Sequence, residues 1–368
     1  MLKLSKYILH KKTSSPIYLI HFVTSLCNAR CPHCFISGDS YANDTSNELT
    51  IAEIEKVTKA FSRDLVNVNL TGGEPFIRDD LPQIVDLYVR NAGIRSFLIA
   101  TNGFFLDKIL ENLNEILLKN KDVKLTISLS LDHIGERHDQ IRGVSGLYVR
   151  VIALYRKLIL LNPKRLLVQI NLTLQRDNYK DIENIFNHLV FREKIKNLSV
   201  TLTRGKTSQK DAALIDVDAY FKLSKLLDDN LKQGNINGFQ SWYYAILNAK
   251  NQISRRVIGK IIRQNRFISP CYAGSLLGVL YPNGDVYPCE LYKEEIGNVR
   301  EFDYNFSSLW NSKRAKDIRR DVAVNKCFCT HECSWTTNIL FNPRYFPELA
   351  IKLINLESRK IVRRFLNG

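Results

Sequence analysis

The eight cysteines of this 368-residue chain fall into two groups and nowhere else. Three stand at Cys27, Cys31 and Cys34 in a C-x-x-x-C-x-x-C segment, and five at Cys271, Cys289, Cys327, Cys329 and Cys333. A scatter of buried structural cysteines would not leave residues 35 to 270 empty. In a reducing compartment such clusters are metal ligands rather than disulfides. Three thiolates so close in sequence can hold three irons of one cubane, and the fourth iron, lacking a protein ligand, stays open to a small molecule. The plainer alternative is structural zinc, with His33 or His21 completing the first site and four thiolates the second. Zinc knuckles, however, usually offer two C-x-x-C pairs or a distant Cys/His pair.

The elements that must position these groups follow from hydrophobic periodicity. Candidate strands are 17–23, 66–70, 94–100, 123–131, 165–174 and 197–202, and stretches of helical period lie between them near 50–61, 79–92, 106–119, 147–161 and 179–191. Thr50 with Glu53 reads as a capping box at the first helix. Six strands alternating with helices predict a parallel sheet with right-handed crossovers, and such folds carry chemistry at the C-terminal ends of their strands. The unusual residues stand there: Cys27 to Cys34 after the first strand, Thr71-Gly72-Gly73-Glu74-Pro75 after the second, Thr101-Asn102-Gly103 after the third, Ser130-Leu131-Asp132 after the fourth. Each of these alone has an ordinary reading as a turn or a helix cap.

Taken in order behind the cysteine segment, they resemble the signatures of the radical S-adenosylmethionine (SAM) superfamily, over roughly residues 17 to 205. His138-Asp139-x-x-Arg142-Gly143 belongs to the same resemblance. It implies an α/β fold, a partial (β/α)6 TIM-like barrel followed by a small auxiliary Fe–S cluster domain of SPASM or twitch type. It also implies a [4Fe–4S] cluster on Cys27, Cys31 and Cys34 that binds SAM through its open iron. Gly72, Gly73 and Glu74 would meet the SAM amino group, with Asn102 and Ser130 at the neighbouring strand ends. Asn171 and Thr173, late in the fifth strand, are candidates for the ribose or adenine, against the alternative that they are only polar strand ends. His33 stands where many members carry an aromatic residue packed near adenine.

The second cysteine group resembles the C-x(9–15)-G-x4-C opening of SPASM and twitch extensions: Cys271, Gly284, then Cys289. Pro282-Asn283-Gly284-Asp285 between apolar runs predicts a β-hairpin leading to Cys289. The closing part departs from the full pattern. Two fully thiolate-bound cubanes would need eight ligands, and five cysteines are present, so one auxiliary [4Fe–4S] cluster is expected. Cys271 and Cys289 fit the opening and Cys329 with Cys333 the closing pair, leaving Cys327 spare; Cys327 could instead replace Cys329, or bind a second, incomplete site with His331. Structural zinc is the alternative here too.

The expected organisation is a barrel over 1–205, a helical connector over 206–268, the auxiliary domain over 269–342 and an amphipathic helix over 343–368. The net charge of +16 favours an anionic partner, such as a phosphorylated metabolite, without choosing one. The basic helical stretches 248–267 and 347–366 have two readings, packing on the domain or peripheral contact with an anionic membrane surface. Few aromatics interleave with those charges, so nucleic acid is not expected. The chain's start lacks a signal peptide and no apolar run would span a bilayer, which reads as cytoplasmic. The function expected is hydrogen abstraction by a SAM-derived radical, leading to oxidation or epimerisation of a sugar, nucleotide-sugar or lipid-linked metabolite, with a flavodoxin or ferredoxin as external reductant. Peptide modification is the alternative; with 26 residues before Cys27, no leader-recognition domain fits there. A zinc-bound interaction module is the rival of a different class. Asp132, at the end of a barrel strand, and Glu290, beside Cys289, are the candidate proton acceptors.

Overall fold

Six stretches of alternating apolar and polar residues become parallel strands of one sheet in the computed structural model of the chain, which describes Tyr7 and residues 13–36, 45–161, 164–213, 216–237 and 242–366. In chain order the elements are β1 (Tyr18–Thr24), α1 (Ile51–Lys59), β2 (Asn67–Gly72), α2 (Leu81–Ala92), β3 (Ser96–Thr101), α3 (Leu106–Lys119), β4 (Lys124–Ser130), α4 (Gly135–Arg142), α5 (Leu147–Leu161), β5 (Leu166–Leu174), α6 (Ile182–Asn187) and β6 (Leu198–Leu202). Then follow α7 (Val217–Gln233), α8 (Trp242–Gln264), β7 (Leu277–Leu280), β8 (Asp285–Tyr287), β9 (Gly297–Asn298), α9 (Phe306–Trp310), α10 (Lys313–Val324), α11 (Glu332–Leu340) and α12 (Phe346–Leu366). The strand order is β6-β5-β4-β3-β2-β1-β7-β8-β9, and the sheet does not close on itself.

The two faces of the sheet differ because side chains alternate along a strand. One face carries Leu19, Val23, Val68, Leu70, Phe97, Ile99, Leu125, Ile127, Leu129, Val168, Ile170 and Leu172, all buried in one apolar core with helices α1, α2, α3, α5 and α6. The opposite face is largely polar over β2, β4, β5 and β6, with Leu98 and Ala100 of β3 between them. Thr50 and Glu53 form the expected capping box at α1, and Glu53 also receives Arg300 Nε at 2.7 Å and Tyr304 Oη at 2.8 Å. The first barrel helix is thereby tied to the C-terminal segment.

That segment shares the barrel's sheet. Leu277 to Leu280 pair in parallel with Tyr18 to His21, and β8 and β9 extend the sheet with antiparallel pairing. The hairpin turns at Gly284, where φ is +92° and an added Cβ would meet Asn298 and Val299 at 3.0 Å. The stretch 179–191 is not one helix: a 3-10 turn, α6 and a π turn over 188–192 divide it. In the tail, the first turns of α12 pack on α8, with Arg256 Nη2 2.5 Å from Glu348 Oε2 and Lys352 Nζ donating to Gln252 at 3.2 Å. The basic end, from 357 onward, has side chains outside the described residues. Among the described residues no helix is long and apolar enough to cross a membrane.

Candidate active site

Cys27, Cys31 and Cys34 lie on the loop that leaves β1, and three parts of the chain fix that loop. Glu48 Oε1 accepts from Thr24 Oγ1 (2.9 Å), Ser25 N (2.6 Å) and Ser25 Oγ (2.9 Å). Arg30 N donates to the Arg142 carbonyl at 2.8 Å, and Ser208 and Gln209 bind the Cys31, Pro32 and Cys34 carbonyls. Against the loop lies the end of β2: Gly73 N donates to Thr24 O at 2.8 Å and Glu74 N to Leu26 O at 2.7 Å. Such an approach requires glycine. A Cβ on Gly73 would fall 1.9 Å from Leu26 O, and one on Gly72, at φ +140°, 2.3 Å from Thr24 O.

The donor set fits a cubane. Burial pushes the Cys31 thiol up to about 12, and Cys34 and Cys27 add to the rise; Cys27 is raised as well, again by burial first. Clustered thiols that disfavour one another's ionisation require a multivalent cation to become thiolates together, and iron supplies that charge. Cys27 Sγ also accepts from Ala29 N at 3.4 Å.

Glu74 points inward rather than to solvent. Its carboxylate accepts from Phe76 N (3.2 Å), Thr101 Oγ1 (2.7 Å) and Asn102 N (2.7 Å). Burial pushes its pKa up to about 7, against those three hydrogen bonds. The side chain thus ties the end of β2 to the end of β3, and the Asn102 amide reaches Asn28 Oδ1 at 2.8 Å. Asp132 is fully buried. Its Oδ2 receives Arg142 Nε at 2.8 Å and Nη2 at 2.7 Å, and its Oδ1 receives Thr173 N at 3.0 Å. Burial works against its ionisation, but Arg142, His33 and His138 and the Thr173 bond outweigh it and hold the carboxyl below its ordinary value. His33 Nε2 lies 3.6 Å from the same oxygen.

The open face of the barrel carries two ladders of neutral groups, parted at β3 by Leu98 and Ala100. Tyr18 Oη accepts from Asn69 Nδ2, and Asn67 bridges Asn69 and Ser96. Further along, Gln169 Nε2 donates to Ser128 at 3.1 Å, and Asn171 donates to Thr201 at 3.1 Å and accepts from Ser199 at 2.7 Å. Ser130 sits beside Asn171 in the β4–β5 register, and Thr173 Oγ1 lies 3.3 Å from Thr201 Oγ1. Most of these side chains are half-buried, open on the side away from the helices. Asn171 and Thr173 are singled out by the sequence; Asn67, Asn69, Gln169, Ser199 and Thr201 are not, although alternation in VNVNL, LLVQINLTL and LSVTL signals them, and Ser96 opens an apolar run that carries no such signal. Glu48 and Ser208 were missed as well, and nothing around them in the sequence marks them.

The second group of cysteines surrounds the hairpin and the start of α11. Glu290, next to Cys289, is buried with Arg204 Nε at 2.7 Å and His331 Nε2 at 2.9 Å from its Oε2. Burial disfavours its charge, but Arg204 and His331 prevail and hold its pKa down to about 2. One apolar cluster joins the two cysteine groups: Ile20, Phe22 and Cys289, with Phe35 from the first loop and Leu291, Cys271 and Cys333 from the second region packed against it. Phe35 lies edge-on to Phe22, centroids 6.2 Å apart, under the Arg204 guanidinium at 5.4 Å. None of the eight cysteines is disulfide-bonded.

A half-open parallel barrel with a three-cysteine loop at its C-terminal edge, and a second set of cysteines around its sheet extension, is the arrangement of a radical SAM enzyme with an auxiliary Fe–S centre. The comparisons agree. The model of the radical SAM superfamily matches residues 22–189, and that of the SPASM iron-sulfur cluster-binding domain matches residues 271–334. The chain is 31% identical over 329 residues to Fe-coproporphyrin III synthase of Methanosarcina barkeri, covering 84% of this chain and 77% of that protein. Over 121 residues it is 36% identical to GTP 3′,8-cyclase of Aquifex aeolicus, 32% of this chain and 37% of the other. Among solved structures, SuiB of Streptococcus suis bound to S-adenosylmethionine superposes with a TM-score of 0.59 at 20% identity, covering 86% of this chain and 70% of that one. The anSMEcpe enzyme with bound AdoMet and a peptide gives 0.57 at 16% identity, covering 96% and 100%. The chain therefore belongs to the radical SAM superfamily and carries a C-terminal SPASM domain. It is an enzyme, and its cofactors are SAM, a [4Fe–4S] cluster and an auxiliary Fe–S centre.

Proposed function

We propose that this enzyme removes a hydrogen atom from a hydroxyl-rich, sugar-like substrate and completes a two-electron oxidation by passing the second electron to the auxiliary cluster. The observation that carries the substrate class is the neutral ladder of amides and hydroxyls on the open barrel face, which can exchange its internal hydrogen bonds for bonds to a polyol. When bound, cluster and SAM supply a 5′-deoxyadenosyl radical able to remove hydrogen from carbon. The chain's own residues do the rest. Cys27, Cys31 and Cys34 hold the cluster, and Gly72 and Gly73 let the backbone of β2 reach the cysteine loop. Glu74 orders the Thr101-Asn102 turn. The layer of Phe22, Phe35, Leu291 and Cys289 keeps water from the space between the two cysteine groups and gives the electron a short packed path.

With both clusters and SAM bound, the substrate would give up one hydrogen atom to the radical, one electron to the oxidised auxiliary cluster and one proton to water, so the product would be two hydrogens lighter. Asp132 and Glu290 are positioning residues in this reading. Both are buried in ion pairs, with Arg142 and with Arg204 and His331, and neither has room to take a proton without stranding its partner. A flavodoxin or ferredoxin serves as donor to the first cluster.

Peptide modification is the second reading. SuiB has been solved with the precursor peptide SuiA and anSMEcpe with a peptide, both on this fold, and the wall amides could pair with a peptide backbone. The test is stimulation of 5′-deoxyadenosine formation, under dithionite and without oxygen, by a panel of free sugars, nucleotide-sugars and synthetic peptides. Stimulation by a sugar with a product two mass units lighter is the expected result. Stimulation by peptides alone overturns the substrate class, and a product of unchanged mass overturns the oxidation.

A further inference from the structure

Strand β6 is an edge of the sheet, and two parts of the C-terminal domain are seated at its end. Leu202 N donates to Glu332 Oε1, in the first turn of α11, at 2.7 Å. Two residues on, Arg204 Nε donates to Glu290 Oε2 at 2.7 Å, and Arg204 Nη1 lies 3.7 Å from Glu332 Oε2. Glu290 adjoins Cys289 and Glu332 adjoins Cys333. One guanidinium therefore spans the hairpin and the helix that carry the second cysteine group. Its Cζ also lies over the ring of Phe35, the neighbour of Cys34, 5.4 Å from the centroid. We propose that Arg204 is a positioning residue: it fixes the first cysteine loop and both arms of the second cysteine group in one relative placement, and so sets the spacing of the two Fe–S centres. This concerns the placement of the cofactors and stands whichever substrate the enzyme takes.

The chain around Arg204 is itself wedged between the two groups. Gly205 has φ +70°, and a Cβ there would meet Phe35 Cβ at 3.1 Å and Leu291 Cδ2 at 3.6 Å. Ser208 N donates to Cys34 O at 3.0 Å and Gln209 N to Pro32 O at 3.1 Å, and Ser208 Oγ donates to Cys31 O at 3.1 Å. The backbone after β6 is thus tied to the first loop, and the Arg204 side chain reaches from it to the second group. Across the barrel mouth, the same turn of α11 meets β1, where Tyr18 Oη lies 4.0 Å from Cys333 Sγ.

The choice of charged groups for this junction is informative. The Arg204 side chain is 18% exposed and that of Glu290 3%, and His331 Nε2 lies 2.9 Å from the same Glu290 oxygen. Apolar side chains in place of such a buried pair are often as stable or more so, so stability is not what the network adds. It adds direction. The apolar layer of Ile20, Phe22 and Leu291 alongside can slide at small cost, whereas buried charges must keep their partners. A planar guanidinium presents N–H groups toward two carboxylates at once, while an ammonium is a single point charge.

The test compares reconstituted, dithionite-reduced holoenzyme with its Arg204→Met and Arg204→Lys variants. Both variants should hold about eight irons per chain. In Arg204→Met, amide hydrogen exchange should rise together in segments 202–205, 288–292 and 331–335, by about tenfold or more, as expected for loss of hydrogen bonds to charged groups. Exchange in β2 to β5 should stay at the parent level. The spin relaxation rate of one reduced cluster falls steeply with its distance from the other, so the single rate of the parent should become a spread of rates. In Arg204→Lys one ammonium serves one carboxylate, so protection should return in 288–292 or in 331–335 but not in both, and the spread of rates should persist. The proposal is overturned if Arg204→Met keeps the parent exchange and relaxation, or if exchange rises throughout β2 to β5, which marks a general loss of stability. It is also overturned if Arg204→Lys restores both segments and the single rate, since charge alone then suffices. Should Arg204→Met fail to retain its clusters, Arg204→Lys decides by the same criterion.

Discussion

Replacing Asp132 by asparagine separates a positioning carboxylate from a proton acceptor. In the parent the carboxylate holds the buried Arg142 guanidinium by two bonds, of 2.8 and 2.7 Å, and closes the Thr173 N–H at 3.0 Å. The substitution leaves a guanidinium without a counter-charge at a site where Asp132 has no exposure and Arg142 has 8%. Breaking a buried pair on one side costs about 3–5 kcal/mol, so the urea midpoint of Asp132→Asn should fall by that much divided by the m-value. The loss should reach the first cluster, because the Arg142 carbonyl anchors Arg30 N within the cysteine loop. Iron content should drop while the auxiliary cluster remains. Removing both partners, Asp132→Asn with Arg142→Met, should recover much of the stability, since no charge is then stranded. The pH dependence has a definite sign. The folded pKa of Asp132 lies below its unfolded value near 3.9. Its contribution is therefore fully present above that value and lost as pH falls through the folded pKa, and the asparagine variant should lack that part of the acid transition. An Asp132→Asn protein as stable as the parent, with full iron content and normal 5′-deoxyadenosine formation but no product, would refute the positioning argument and restore the proton-acceptor role.

Changing Cys27, Cys31 and Cys34 together to alanine should lower iron from about eight to about four per chain and end SAM cleavage; full iron retention would contradict the assignment of the first loop. Glu74→Gln should place an amide N–H against the Asn102 N–H, at a cost of about 1–3 kcal/mol, and weaken SAM binding measured by calorimetry on reconstituted enzyme; unchanged affinity and melting temperature would show that the Thr101-Asn102 turn does not need the carboxylate. Gln169→Leu should leave iron content and substrate-free 5′-deoxyadenosine formation at parent level while abolishing stimulation by whichever sugar is found active; equal stimulation would remove the polar wall from substrate binding.

The barrel was legible because β2, β4, β5 and β6 alternate and β1 and β3 are short apolar runs between helical stretches, which together give a sheet with one face buried under helices. The capping box at Thr50 and the Asn283-Gly284 hairpin were legible for the same reason, a local signal with one geometric solution. Helix α4 escaped because its buried positions are His138, Ile141 and Arg142. An ionic network with Asp132 fills the place of an apolar stripe, so the 3.6-residue period is missing. Strand β9 is two residues long, too short for any alternation. The pairing of β7 with β1 joins residues some 260 apart in sequence, and no local pattern announces it. At the site, cysteine spacing identified all eight candidate ligands. The orientation of Cys333 depends on how α11 docks against β1, which is a tertiary fact.

The surplus of 16 positive charges suggested an anionic substrate, and the location of the charge argues otherwise. Arg142 is spent on Asp132 and Arg204 on Glu290. Arg78, near the end of β1, binds Asp80 at 2.7 Å and the carbonyls of Val23 and Leu49, and Arg30 turns its guanidinium to the Cys27 and Ala29 carbonyls. These four cations are committed to protein oxygens, and the barrel wall beside them is neutral. A phosphate on the substrate would find no prepared cation among them, so in the proposed function any charged part of the molecule would lie outside the wall, with the sugar-like part inside. On the outer helices, Arg255 and Arg256 of α8 are likewise paired, with Asp228 and Glu348. What remains of the surplus is spread over the surface, where it acts at a distance rather than by contact. A field of that kind would raise the encounter rate with an acidic electron-donor protein and fall with salt, whereas in the proposed function selection of the substrate would rest on short hydrogen bonds within the barrel that salt hardly touches.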